Sequence, residues 1–361
     1  MQHTTVEIMG GLGNQLFQIF ALLGYSLRHK TPFYFTAEPI HHGQRKRTYW
    51  QTPLLQSLQP FVKKSNQTPS APAQILTEQG FHYHSLPYPF YEHAHVKFFG
   101  YFQSYKYFED QQANIFKLIR LKETQAHIKS QTQHQYDYTQ TLAIHFRVGD
   151  YVQLPNHHPL MTLEYYTQAL RQFIQAQAKQ AQAKQQAHKS PALCETLEQA
   201  KQQAEQQAQQ QAQQQAQQQA KQQRQAWPIL YFCEQNDQAY VETQFIQKLQ
   251  AQPEFQGKFT FQCIDHTLAD WEQMIVMSLC PHQIIANSTF SWWGAYLRLG
   301  GTPPTTPTSA SAQAHRGADP SQNGAALHAP QVYYPSTWFG PAMGYKNMAD
   351  LFPPHWQQIN A

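Results

Sequence analysis

Short apolar runs alternate with amphipathic stretches along most of this chain, and that alternation constrains its fold more than any other feature. Residues 5–9 read as a strand that feeds the turn Gly10-Gly11-Leu12-Gly13. From Asn14 to Lys30, Leu16, Phe17, Phe20, Leu23 and Leu27 recur at three- and four-residue intervals, which defines one buried helical face. Pro32-Phe33-Tyr34-Phe35 returns as a strand and completes a β-α-β opening. The same reading places strands at 96–102, 141–147, 229–233, 259–263, 283–286 and 332–334. Helices fall at 105–121, from 162 onward, at 270–279 and at 292–299, and the polar stretch 123–140 reads as a passage between domains. Such alternation predicts an α/β protein with parallel, doubly wound sheets, which bind ligands at the carboxyl ends of their strands. With 361 residues there is room for two units, 1–140 and 141–361, each expected to hold its own core.

Two segments interrupt the pattern. Residues 172–226 are nearly all Gln, Ala and Lys, with alanines at 200, 204, 208, 212, 216 and 220. A period of four against 3.6 residues per turn rotates that stripe by about 40° per repeat, so it offers no broad apolar face. The expectation is an exposed, Gln/Ala-rich helical insertion broken at Ser190-Pro191 and without chemical role. A homotypic coiled contact, and so self-association, is the alternative. Residues 301–330, rich in Pro, Thr, Ser, Ala and Gly, read as a disordered surface loop. Residues 40–95 mix His, Pro and aromatics and give no readable pattern.

A net charge of +4 suits an anionic nucleotide substrate or loose, peripheral association with acidic lipid, and no basic stripe with interleaved aromatics points to nucleic acid. The start of the sequence lacks the basic, apolar and small-residue regions of a secretory signal, and no run of 18 apolar residues predicts a membrane span. These features place the chain in the cytoplasm, with the inner face of the membrane as the site of any lipid contact. Cys194, Cys233, Cys263 and Cys280 are too widely spaced for a zinc knuckle or a CxxC pair, and the last three sit in apolar runs as small hydrophobes. No metal site is expected.

Three motifs carry the chemistry. The glycine turn permits close approach of backbone amides to an anion at the start of a helix, and Asn14-Gln15 adds two amide side chains at the first helical turn. It lacks the third glycine of a dinucleotide fingerprint and the Gly-Lys-Ser/Thr of a Walker loop. Mid-chain, Arg147 ends an apolar strand in His145-Phe146-Arg147-Val148-Gly149-Asp150. Its planar guanidinium can grip a diphosphate with two parallel bonds. Asp150 orients that arginine, caps the next turn or takes a proton, and His145 reads as a hydrogen-bonded interior histidine. Late in the chain, Asn287-Ser288-Thr289-Phe290-Ser291 opens a helix, where amides and hydroxyls suit a phosphate or nucleoside, or simply form a cap. Trp292 and Trp293 read as core.

Together with Gly100-Tyr101-Phe102-Gln103 and Phe232-Cys233-Glu234, these motifs resemble bacterial α-1,2-fucosyltransferases of glycosyltransferase family 11. The likeness spans most of 5–171, 227–300 and 331–356. The family's arginine motif is His-x-Arg-Arg-x-Asp; Arg147 matches its first arginine, Val148 replaces its second and Asp150 matches its acid. The resemblance implies a GT-B-like architecture, two Rossmann-like domains facing across a cleft, with GDP-fucose held mainly by the second. It also implies inverting transfer of L-fucose to the 2-hydroxyl of a terminal galactose, in lipopolysaccharide or blood-group-like glycan synthesis. In that scheme Arg147 stabilises the departing GDP, with Gly11, Gly13, Asn14, His145, Asn287, Ser288, Thr289 and Ser291 in the donor site. Asn14 faces the fucose and acceptor, and Asp150 is the first candidate for a general base. The chain contains no Asp-x-Asp pair, so no metal or other cofactor is expected. A carbohydrate- or nucleotide-binding protein without turnover and a nicotinamide oxidoreductase are the rival readings.

Overall fold

A computed structural model of the protein describes residues 3–37, 47–68, 74–89, 95–187, 226–298 and 331–360. Most of the insertion read at 172–226, including its break at Ser190-Pro191, and the whole segment 301–330 lie outside the described residues.

The first unit centres on a parallel three-stranded sheet, ordered β1 (His3–Val6), β5 (His95–Phe99), β4 (Gln74–Thr77). A parallel pair, β2 (Phe35–Thr36) and β3 (Val62–Lys63), joins β1 through a Thr4–Phe33 bridge. Helix α1 (Leu12–His29) follows β1 and buries Leu16, Phe17, Ile19, Phe20 and Leu23 completely. It starts two residues earlier than the periodicity predicts, so Gly13 is a helical residue and the turn proper is Gly10-Gly11.

The second unit is a six-stranded parallel sheet. Its strands are β6 (Leu142–His145), β7 (Trp227–Phe232), β8 (Phe259–Cys263), β9 (His282–Ile284), β10 (Gln331–Pro335) and β11 (Gln357–Ile359). Their order is β11-β10-β9-β6-β7-β8. Counted within the unit this is 6-5-4-1-2-3, the doubly wound order of dinucleotide-binding sheets, and its topological switch lies between β6 and β9. Both units are α/β with parallel sheets, and both border one cleft.

Two sequence expectations are corrected here. The helix expected at 105–121 is broken: turns at Tyr105–Tyr107 and Glu109–Gln111 precede α2 (Gln112–Leu118). Tyr105, Tyr107 and Phe108 are all buried, and the Ser104 hydroxyl accepts from the Lys106 amide (3.3 Å), capping the first of these short turns. The passage expected at 123–140 contains α3 (Leu121–Thr132). Its Gln125 donates to Ser278 Oγ (2.8 Å) and to the Leu297 carbonyl (3.0 Å), which lets a polar face pack in the interior. Helix α4 (Leu163–Ala187) runs on past residue 172, so the described start of the insertion is helical, as its Gln/Ala composition predicts.

The cores also differ from expectation. One hydrophobic cluster runs through α1, α3, α5 (Asp270–Leu279) and α6 (Thr289–Tyr296), so the two units share it; a second cluster covers the opposite face of the large sheet. Phe17 and Phe20 lie against Trp292 and Trp293, with ring centroids 4.4–5.0 Å apart. Both tryptophans are fully buried, and the Trp292 indole donates to the Leu351 carbonyl at 2.8 Å. Among the described residues no helix is long and apolar enough to cross a membrane.

Candidate functional site

A cleft of about 860 Å³ opens between the units. The glycine turn and Asn14 border it from the first unit; Arg147, Asp150, Glu234 and Ser288–Phe290 border it from the second. Arg147 and Ser288 sit just past the carboxyl ends of β6 and β9, on either side of the switch point.

Helices α1 and α6 both begin at this cleft, and their first turns touch. Neither carries an acidic residue in its first turn. At α1 the cap residue Gly11 offers no side-chain bond; at α6 the Ser288 hydroxyl accepts from the Phe290 amide (3.3 Å). Two positive dipole ends therefore converge on one space, an arrangement that an anion stabilises.

Arg147 is largely buried and paired to both Asp150 and Glu234. Its guanidinium carbon lies 4.8 Å from the Tyr151 ring centroid. Beneath that ring stacks His158 (4.8 Å), then Phe339 (5.9 Å), which meets Phe81 of the first unit at 4.7 Å. The Tyr151 hydroxyl donates to the Asn287 carbonyl (3.1 Å), tying the arginine loop to the Ser288 loop. Gly149 has φ +41, and its amide donates to Asp237 (2.8 Å), which sets the turn that returns Asp150 to Arg147. Of the roles open to Asp150, orienting the guanidinium is the one this geometry displays. Val148 packs into the second core, on the far side of the strand end.

His145 is buried where β6 ends, beside Phe290 (5.3 Å), and it borders the cleft. Burial, with Arg147 adding to it, pushes its pKa down to about 3, so the ring is neutral. Its Nδ1 makes no hydrogen bond among the described residues.

Other expected residues divide. Asn14 and Gly11 border the cleft, and Asn14 accepts from Gln103 Nε2 (3.0 Å). Gly13 borders it too, but its close neighbour is Thr289. The Asn287 amide donates to the Pro159 (2.9 Å) and Trp338 (3.2 Å) carbonyls and so braces two loops. Ser291 is not brought to the cleft. It is fully buried, and its hydroxyl turns back to the Ala286 (3.3 Å) and Ser288 (3.2 Å) carbonyls, closing the first turn of α6.

The structure adds residues the sequence did not announce. Glu78, past β4, borders the cleft and accepts from the Tyr101 amide at 2.7 Å. Burial raises its carboxyl above the usual range, against the pull of the Phe102 and Tyr101 amides. Arg47 reaches in from the first unit and pairs with Asp270 of the second, and the Tyr49 hydroxyl donates to the same carboxylate (2.5 Å). Both Glu78 and Arg47 lie in the 40–95 region that lacked any periodic signal. Cys233, Cys263 and His266 also meet at the cleft edge.

The strand order and the cleft define a two-unit α/β protein in which an arginine and two helix N-termini border one site. The model for "Glycosyl transferase family 11" matches residues 201–319, which bears out the family resemblance read from the motifs. The match includes Cys233-Glu234 and the Asn287–Ser291 loop, whereas the glycine turn and Arg147 lie outside it. No curated protein sequence matches the chain significantly. Among solved structures, an Arabidopsis thaliana FUT1 variant in complex with GDP is 12% identical, with a TM-score of 0.35 over 82% of this chain and 68% of that one. POFUT1 in complex with GDP is 12% identical, TM-score 0.38, over 82% of this chain and 94% of that one. A family 9 glycosyl transferase from Veillonella parvula is 7% identical, TM-score 0.38, over 100% and 86%. Scores of this size establish no shared fold; the architecture rests on this chain's own strand order.

Proposed function

We propose that this protein transfers L-fucose from GDP-fucose to the 2-hydroxyl of a terminal galactose, with inversion at the anomeric carbon. One observation carries the reading: Arg147 and two helix N-termini converge on a single cleft between the units. The acceptor oxygen attacks the fucose C1 from the face opposite GDP, and the bond from C1 to the β-phosphate oxygen breaks. Negative charge grows on the departing diphosphate as the sugar becomes oxocarbenium-like. Arg147 and the amides of α1 and α6 meet that charge with donors already in place, which is where preorganisation lowers a barrier most. No metal is needed in this scheme.

His145, neutral and with a free Nδ1, is suited to a hydrogen bond with the donor. Asn14, held by Gln103, faces the sugar and acceptor from the first unit. Asp150 is occupied by Arg147, so Glu78 is the better candidate for the group that receives the acceptor proton. A surface glycan such as an O-antigen or a blood-group-like chain fits as acceptor, with the enzyme working from the cytoplasm.

The test is purified protein with GDP-fucose and a panel of β-galactosides, with linkage analysis of the product, in buffer and in EDTA. An α-1,2-fucosylated product formed equally well under chelation supports the reading. Transfer to another hydroxyl refutes the linkage, and loss on chelation rescued by Mg²⁺ or Mn²⁺ but not by Zn²⁺ refutes the charge-stabilising role given to Arg147. Val148, buried where the family's second arginine would stand, favours one alternative, a binding protein without turnover. Tight GDP binding with no GDP release in the presence of acceptor selects it.

A further inference from the structure

Strands β7 and β8 pair in parallel with Tyr231 opposite Cys263. Side chains alternate along a strand, so Cys233, two residues beyond Tyr231, lies on the same face as Cys263. The pairing thus brings together two cysteines that sequence spacing kept apart. His266 follows Cys263 with the spacing Cys-x-x-His. The intervening turn is fixed: the Asp265 amide donates to the Tyr136 hydroxyl (2.9 Å), and the Asp265 carboxylate accepts from the Thr267 amide (2.9 Å) and hydroxyl (2.8 Å).

The ligand atoms of Cys233, Cys263 and His266 lie within 4.8 Å of one another, with Cys263 Sγ 3.5 Å from His266 Nε2. A tetrahedral zinc ion with Zn–S of about 2.3 Å and Zn–N of about 2.0–2.1 Å has an S···N edge of about 3.6 Å and an S···S edge of about 3.8 Å. The Cys263–His266 edge already has that length. Cys233 and His266 also border the cleft, which supplies an entry path and room for a fourth ligand.

We propose that Cys233, Cys263 and His266 form a binding site for a thiophilic divalent cation, zinc above all, with the fourth position open to the cleft. Two sulfurs and an imidazole select zinc over magnesium, calcium or manganese, which prefer all-oxygen sets. The site is separate from the Arg147 anion clamp and does not depend on the fucosyl-transfer reading. It gives Cys233 and Cys263 a role beyond that of the small hydrophobes read from the sequence.

The experiment uses the full chain, stripped with chelator and kept reduced with a phosphine, and titrated with Co²⁺. One equivalent is expected to give a thiolate-to-cobalt charge-transfer band and the intense visible bands of a tetrahedral site, both abolished by one equivalent of Zn²⁺. Cys263→Ser and His266→Ala should each weaken Zn²⁺ binding by at least about tenfold, no less than the loss typical for a ligand's supporting partner. Cys280→Ser should bind as the wild type does. His266 lies on a half-buried surface turn, so its variant keeps the test readable if a cysteine variant fails to fold. The proposal is overturned if the reduced wild type shows no charge-transfer band. It is equally overturned if His266→Ala binds Zn²⁺ as tightly as the wild type, or if the two cysteines are recovered as a disulfide in protein that takes up no metal after reduction.

Discussion

Gly13 stands so close to Thr289 that a Cβ on it would lie 2.5 Å from the Thr289 carbonyl carbon and 2.6 Å from its oxygen. The first turns of α1 and α6 therefore meet backbone to backbone, and only a residue without a side chain permits it. A glycine read from sequence as making room for an anion also makes room for a helix. Gly13→Ala should push the two N-termini apart. Overpacking of this kind costs about 1–3 kcal/mol, readable in urea unfolding, and GDP affinity should fall with it. Unchanged stability and unchanged GDP binding would mean that the two helices do not need this contact.

Arg147→Lys should fail nearly as badly as Arg147→Ala. The guanidinium bonds Asp150 and Glu234 through different nitrogens while lying over Tyr151, and a lysine has neither the fork nor the plane. Loss of one well-placed charge stabiliser costs on the order of 10²–10³ in turnover. Steady-state kinetics decide the matter: a lysine variant that retains more than about a third of wild-type turnover is incompatible with two-point diphosphate binding by Arg147.

How much was legible beforehand depended on whether a residue's role is local. The strand at 259–263 and the helix at 270–279 follow from periodicity, and both stand where the pattern placed them. Arg147 was visible because a cation at the end of an apolar strand has few structural uses. Ser291 misled because hydroxyls at a helix start serve a ligand or the helix itself, and only its burial shows which. Glu78 and Arg47 sit in short strands and loops with no repeating pattern, and their importance comes from what lies across the cleft. The approach of Cys233 to Cys263 follows from the strand register that sets Tyr231 opposite Cys263, which composition does not encode.

His145 links stability to pH. Its folded pKa is held near 3 by burial and by Arg147, below the ordinary 6.5. Between those values the unfolded chain binds a proton that the folded protein refuses, so stability falls as pH drops through the window. The slope reaches at most about 1.4 kcal/mol per pH unit for one such group. His145→Gln removes the titration without adding charge. Urea unfolding of both proteins at pH 7.5, 6.5 and 5.5 should show the wild type losing about 1 kcal/mol more than the variant. Parallel pH dependences would show that the ring is protonated in the folded protein as easily as outside it.

Glu78 gives a test of the chemistry from the acceptor side. Its carboxyl is desolvated at the cleft wall, while the Tyr101 amide holds one oxygen at 2.7 Å and Gly100, at φ +155, lets the backbone approach. A raised pKa makes a carboxylate a stronger base, and it also means that the basic form is lost at a higher pH as the solution is acidified. The wild-type turnover profile should therefore fall on its acid side above the ordinary carboxylate range. Glu78→Gln keeps the size and hydrogen-bonding capacity of the side chain but cannot take the proton. It should lower turnover by about 10²-fold or more, flatten the acid limb and leave GDP affinity within about twofold. Asp150→Asn, by contrast, should lower turnover through Arg147 and weaken GDP binding while the acid limb persists. If the limb survives in Glu78→Gln and vanishes in Asp150→Asn, the proton goes to Asp150, and the pairing with Arg147 must then break in the bound enzyme.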